Sequence, residues 1–206
     1  MIKRIFDFIF ALMGLVFLFP LLLIIAIVIK IDSKGPVLFI QERVGQYNKT
    51  FNIYKFRTMY VKSQKKGLLT IGDKDSRVTK IGYFLRKYKI DEFPQLINII
   101  KGDMSFVGPR PELRYYVNFY NPEDLVIFEL KPGITGLASL EYRNEVELLK
   151  NAKDPEAFFI NTIIPDKLRF NKLYLKQRNF LFDLKLIFIT IYRVVIHTKK
   201  SLESQK

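Results

Sequence analysis

The sequence predicts an α+β fold, mainly helical, in which one domain with a small β-hairpin stands behind an N-terminal membrane segment. Three observations predict it. Phe8 to Ile29 contains no charged or polar side chain. Two short β-like stretches, Val37 to Gln41 and Phe51 to Arg57, flank Gly45 and Asn48, which suit a hairpin turn. Most of the chain beyond the hairpin has helical patterning punctuated by glycine and proline. At 206 residues the chain is long enough for one domain with a real core.

The N-terminal run is long enough, at ~1.5 Å per residue, to cover a hydrocarbon core of roughly 30 Å. It is too long for a signal peptide, and no small-x-small cleavage site follows it. Pro20 falls inside the run, where it removes a helix hydrogen bond and favours a kink. Lys3 and Arg4 precede the run, and Lys30 and Lys34 follow it. A spanning helix usually shows a basic excess on one side only. These residues leave two arrangements open: a spanning helix, or a re-entrant one that turns at Pro20. Asp7 is read as a headgroup-level anchor paired with Lys3 or Arg4.

Behind the hairpin, 63–76 is polar and glycine-containing and reads as a mobile loop. Thr79 to Tyr88 reads as a short amphipathic helix, and Asp91 to Ile100 as another, stopped by Gly102. Val107 to Leu113 must be extended, because each proline disfavours helix in the residue before it. Leu130 to Leu140 reads as a glycine-punctuated loop. Asp154 to Gln177 is helical in pattern, with Pro165 splitting it. Phe180 to Ile196 is apolar but carries Asp183, Lys185 and Arg193, so it reads as packed or interfacial rather than spanning.

Charge narrows the chemistry. With 34 Lys plus Arg, 20 Asp plus Glu and a net charge of +14, the chain should meet something anionic: nucleic acid, phospholipid headgroups or a phosphorylated substrate. Its 49% hydrophobic content, with 19 Phe and 11 Tyr, favours a membrane-associated protein over a nucleic-acid arm. No cysteine is present, which excludes disulfides and thiolate metal sites, and the one histidine is His197, so acid–base chemistry falls to carboxylates.

Asp91 and Glu92 are the leading candidates. Pro94 marks the first turn of a helix, where a missing N–H costs little, and this places Asp91 at or near the N-cap. Free N–H groups and the helix dipole favour negative charge there. An ionised aspartate in that place can attack phosphorus and form an acyl phosphate. Two carboxylates beside a diphosphate suit magnesium. Lys55, Arg57, Arg86, Arg110 and Arg143 are candidate phosphate ligands, the arginines because a guanidinium grips two oxygens at once. Each of them also has a plain reading as a surface cation or structural ion pair. Asp73 and Asp75 form a D-x-D pattern, which offers an alternative: a metal-dependent glycosyltransferase that releases UDP. A non-enzymatic membrane-surface or nucleic-acid-binding protein is a second alternative, resting only on charge.

The blocks "GPVLFIQERVGQYNKTFNIYKFRTM", "DSRVTKIGYFLRKYKIDEFPQLINIIKGDMSFVGPRPEL" and "KPGITGLASL" resemble the bacterial sugar transferase family, the monotopic phosphoglycosyl transferases in their minimal catalytic form. The resemblance implies an N-terminal re-entrant membrane helix over 1–34 and a cytoplasmic catalytic domain over 35–206. It implies transfer of a phospho-sugar from a UDP-sugar to polyprenyl (undecaprenyl) phosphate with release of UMP. This would be the first step of a membrane-linked glycan. Asp91 maps onto the family nucleophile, Glu92 onto its partner, and Pro109, Arg110 and Pro111 onto the Pro-Arg-Pro element, with Mg2+ held by Asp91 and Glu92. Phe19 stands where many members have Ser before the helix-breaking proline. The expected partners are the UDP-sugar, the polyprenyl phosphate and an anionic phospholipid membrane, with a homodimer left open and no nucleic acid. The expected location is the cytoplasmic face of the bacterial inner membrane.

Overall fold

The computed structural model describes residues 1–61, 69 and 75–203, with side chains described as far as residue 194. The 31-residue helix α1 (Ile2–Asp32) opens the chain. Strands β1 (Leu38–Val44) and β2 (Thr50–Phe56) form the antiparallel hairpin expected from Gly45 and Asn48. Tyr47 and Asn48 both adopt positive φ in its turn. Helix α2 (Lys80–Lys87) comes after it, capped by the Thr79 hydroxyl, which accepts from the Gly82 N–H at 3.0 Å.

Next comes a single 3-10 turn, Ile90–Glu92, and then α3 (Gln95–Lys101), closed by Gly102 at φ 91. Strand β3 (Ser105–Val107) pairs in parallel with β4 (Gly133–Thr135), so the segment read as a glycine loop contributes a strand. The two strands press glycine on glycine: a Cβ on Gly108 would lie 2.2 Å from the Lys131 carbonyl oxygen. Short helices α4 (Arg114–Val117), α5 (Leu137–Glu141), α6 (Glu145–Lys150) and α7 (Pro155–Phe158) lead to α8 (Ile164–Gln177) and α9 (Phe180–Glu203).

Pro165 does not split the 154–177 segment as expected. A π turn, Phe159–Ile163, precedes α8 and leaves Pro165 in that helix's first turn. The wider turn accommodates the proline ring and its missing N–H without breaking the rod.

Helix α1 departs from the sequence reading in two ways. It runs unbroken through Pro20. It is also part of the core rather than an appendage. Asp7, Ala11, Ile25 and Ile29 are buried, and Leu18 and Leu22 pack beside them, so one stripe faces the domain along the helix. Ala11 packs with Ile53, Leu96 and Ile99, while Ile25 and Ile29 pack with Phe56 and Leu85. The opposite face exposes Ile9, Met13, Val16, Phe17, Ile24, Ile27 and Ile31.

The polar residues at both ends fold onto the domain. Arg4 donates to the carbonyls of Ile99 and Ile100, at the orphan C-terminal end of α3. Lys3 pairs with Asp183 of α9 and donates to the Val107 carbonyl at 3.1 Å. Asp7 is not a headgroup anchor: its carboxylate accepts the Phe106 N–H at 3.3 Å, inside the protein. At the other end, Asp32 accepts the Ile81 N–H at 3.3 Å. Helix α9 is packed, as expected. Asp183 and Leu186 are buried, and Asp183 accepts from the Tyr174 hydroxyl at 2.6 Å, while Leu181, Phe188 and Ile191 are exposed.

Candidate active site

The Asp91–Glu92 pair sits on the 3-10 turn before α3, not at a helix N-cap. The cap of α3 is Pro94, and α3 is only 7 residues long, so the dipole argument for Asp91 does not apply. Tertiary contacts govern the pair instead. Asn98 is fully buried one turn into α3. It accepts the Tyr54 N–H at 3.0 Å and donates to the Asn52 carbonyl at 2.7 Å, which clamps α3 to β2. That clamp brings the inward side chains of β2 against the turn. Lys55 donates to Glu92 Oε1 at 2.8 Å. Arg110 reaches the same carboxylate from the other side through both of its terminal nitrogens.

Buried Pro109 and Pro111 restrict the backbone on either side of Arg110. The Pro109 carbonyl accepts from the Gly133 N–H at 2.9 Å, and the Glu112 carbonyl from the Val44 N–H at 2.9 Å. The Pro-Arg-Pro segment is thus stitched between β4 and β1. A second ionic set supports it. Lys167 of α8 bridges Glu112 at 3.4 Å and Glu145, and Arg43 of β1 lies 3.8 Å from Glu112. Sequence reasoning missed Asn98, Arg43, Glu112, Glu145 and Lys167. Only Glu112 had a local signal, its place directly after Pro111.

Neighbouring carboxylates end up with opposite electrostatics. Burial works to raise the Glu92 pKa, but Arg110 and Lys55 overcome it and hold the carboxyl well below the usual range. The Arg110 guanidinium is pushed up in turn, chiefly by Glu92, while burial pushes Lys55 down against the pull of Glu92. Asp91 goes the other way. Burial first, and then the Glu92 charge, push its carboxyl up, partly offset by Lys55, Lys89 and Arg86. Its Oδ1 is buried and has no hydrogen-bond partner among the described residues. Arg86 and Lys89 make no ion pair with a carboxylate among those residues. The result is a reactive-type carboxylate without a bonded cation, next in sequence to a carboxylate held by two.

The fold thus gathers Asp91, Glu92, Lys55, Arg86, Pro109, Arg110 and Pro111. A sequence model of the bacterial sugar transferase family matches residues 1–197. The chain belongs to that family. As a bacterial sugar transferase it has curated relatives of several lengths. It is 44% identical, over 68% of the chain and 34% of the relative, to a UDP-N-acetylgalactosamine-undecaprenyl-phosphate N-acetylgalactosaminephosphotransferase of Aeromonas hydrophila. It is 33% identical, over 94% of the chain and 40% of the relative, to a UDP-glucose:undecaprenyl-phosphate glucose-1-phosphate transferase of Escherichia coli. To the uncharacterized sugar transferase EpsL of Bacillus subtilis it is 35% identical, over 95% of the chain and 88% of the relative. The chain therefore spans between a third and two fifths of the first two relatives.

Other candidate residues of this sugar transferase lie in different contacts. The Arg57 guanidinium donates to the carbonyls of Ser33 at 2.7 Å and of Lys34, so it holds the C-terminal end of α1. Lys55 near the end of β2 and Arg57 just beyond it tie the carboxylate pair and α1 to the same end of the hairpin. Arg143 lies in the turn after α5. Burial and nearby Arg193 both push its pKa down. Asp75 is gripped by Arg77, with Nε to Oδ1 at 2.9 Å and Nη2 to Oδ2 at 2.6 Å, and Asp73 lies outside the described residues.

Proposed function

We propose that this chain is a phosphoglycosyl transferase that moves a phospho-sugar from a UDP-sugar to polyprenyl phosphate and releases UMP. The observation that carries the reading is the buried, unpartnered Oδ1 of Asp91, on whose carboxyl Arg86 and Lys89 act electrostatically. A carboxylate kept free of hydrogen bonds and raised in pKa is more basic, and so more nucleophilic, than one held in an ion pair. An Asp91 oxygen attacks the β-phosphorus, the bond to the bridging oxygen breaks, and UMP leaves with the electron pair. A polyprenyl phosphate oxygen then attacks the same phosphorus, the bond to Asp91 breaks, and the carboxylate is restored. Arg110 and Arg86 offset the phosphoryl charge. Glu92 fixes Lys55 and Arg110 in place.

Magnesium, which the resemblance implies, fits the residues present. It prefers one or two carboxylates with the remaining oxygens from substrate phosphates. Asp91 offers a free oxygen, and Glu92 Oε2, whose one bond is the 3.4 Å contact from Arg110, can offer another. When bound, the ion would supply positive charge against the diphosphate. A monotopic placement of α1 also belongs to this proposal, with the helix meeting one leaflet without a break at Pro20. Both ends of α1 are tied to one domain while its outward face is apolar, which suits a domain seated on one leaflet of the inner membrane at its cytoplasmic side. Ile90, next to Asp91, packs with the cluster containing Ile25 and Ile29, which supports a site close to α1. This is how a lipid-borne phosphate reaches Asp91.

The test is a UDP-sugar panel, including UDP-N-acetylgalactosamine and UDP-glucose, against undecaprenyl phosphate in detergent or nanodiscs. UMP release with a trapped sugar-phosphate adduct on wild type, lost in Asp91→Asn, is expected. Release of UDP instead would replace this reading with the direct glycosyltransferase.

A further inference from the structure

Helix α2 ends at Lys87, and Lys89 turns the chain into the Ile90–Glu92 turn with φ 58 and ψ 20. This is the position after a helix that glycine or asparagine normally fills, because a Cβ crowds the backbone in the left-handed region. Among the described residues the other two non-glycine residues at positive φ are Tyr47 and Asn48, both in the hairpin turn. Lys89 thus carries backbone strain two residues from Asp91. Its side chain is exposed and has no hydrogen bond or ion pair among the described residues. Nothing in the packing therefore requires a lysine there. Non-glycine residues persist in such backbone where the site uses them.

The cations around the turn fall into two sets. Lys55 and Arg110 are bonded to Glu92. Lys89 caps the turn that carries Asp91, Lys89 and Arg86 form no ion pair with a carboxylate among the described residues, and both act on the Asp91 carboxyl electrostatically. A cation that is exposed, unpaired and carried on strained backbone two residues from a carboxylate with an unpartnered buried oxygen is available to an arriving anion.

We propose that Lys89 is a substrate-binding residue of this transferase, its ammonium holding a phosphate oxygen of the group that arrives at Asp91. The inference rests on the phosphoglycosyl transferase reading. Donor diphosphate and lipid phosphate present the same chemistry, so the experiment separates them. Lys89→Asn removes the charge and is better suited to the backbone, and Lys89→Arg keeps the charge. KM for UDP-sugar and KM for undecaprenyl phosphate are measured for both by UMP release, beside thermal melting. Wild-type UMP release establishes the underlying reading independently.

The expected result is a roughly tenfold higher KM in Lys89→Asn for one of the two substrates, the size of one charge-assisted hydrogen bond. Its melting temperature stays equal or rises, and Lys89→Arg recovers most of the loss. A rise for the donor places Lys89 on the diphosphate, and a rise for the acceptor places it on the lipid phosphate. Unchanged KM for both substrates overturns the proposal, as does failure of Lys89→Arg to recover. If Lys89→Asn melts lower than wild type, Lys89→Gly, which is free in the left-handed region, is judged by the same KM criterion.

Discussion

The two sides of the Asp91–Glu92 turn carry the same kinds of residue and do opposite things with them. On the Glu92 side, two cations from distant segments, Lys55 of β2 and Arg110 after β3, are spent on one carboxylate. On the Asp91 side, Arg86 and Lys89 act electrostatically on a carboxylate and are bonded to none among the described residues. The Glu92 side stabilises the fold. The Asp91 side costs stability, because a buried carboxylate without a partner is kept ready for a ligand. The difference separates a carboxylate already paired from one left open, and residue type alone does not make that distinction.

The largest expected effect breaks the Asp91 side. Asp91→Asn lowers UMP release at least about a thousandfold, as loss of a nucleophile does, and raises the melting temperature. The sign follows from the raised pKa: the fold disfavours the charged carboxyl, so removing the charge relieves the native state. A melting temperature that falls would show Asp91 to be a structural partner.

Next comes the Glu92 side. Glu92→Gln leaves Lys55 and Arg110 without their counter-charge and costs about 2 kcal/mol, less than a fully buried pair because the Arg110 side chain is 37% exposed. Denaturation midpoints of wild type and variant check it. Adding Lys55→Met to Glu92→Gln should recover part of the loss, since the stranded ammonium is then gone.

The same contrast has a pH signature. Glu92 has its folded pKa well below the usual value, so its stabilisation is fully present above about pH 4.3 and is lost as pH falls through the folded pKa. Asp91 has its folded pKa raised, so its cost is absent below about pH 3.9 and grows as pH rises through the folded pKa. The melting difference between wild type and Glu92→Gln should therefore be constant near neutrality and shrink in acid. The difference between Asp91→Asn and wild type should shrink in acid for the opposite reason. A pH-independent difference for either variant contradicts its assignment.

The last variant loosens what holds the two sides apart, and its effect on turnover is the smallest because it is indirect. Asn98→Ala removes the bonds to the Tyr54 N–H and the Asn52 carbonyl and leaves both backbone groups short of a partner, costing about 1–3 kcal/mol. Because β2 then drifts from α3, Lys55 loses its register with Glu92, and UMP release falls without any change in the reacting groups. Retained turnover would mean that Lys55 finds Glu92 without the clamp.

Much of the fold was legible in the sequence because the signals were local. Alternation and turn residues marked the hairpin, Gly102 stopped α3, and the uncharged run announced α1. The errors were non-local. Pro20 and Pro165 read as breaks, yet α1 runs through Pro20 and a π turn absorbs Pro165. Lys3 and Arg4 read as basic flanks of the apolar run and Asp7 as a headgroup-level anchor, and all three bond to the domain, to α3, β3 and α9. Arg57 read as a phosphate ligand, and it holds α1.

By itself the sequence determined that an apolar helix precedes a basic domain, that Asp91 and Glu92 are neighbours, and that two prolines constrain Arg110. These are properties of periodicity, adjacency and backbone restriction, and they need no partner. Only the tertiary structure decided which carboxylate is paired and which is free. That outcome depends on which cations come within bonding distance after β2, the dyad turn and the Pro-Arg-Pro segment converge. Coulomb energy falls off with distance in space, not with distance along the chain.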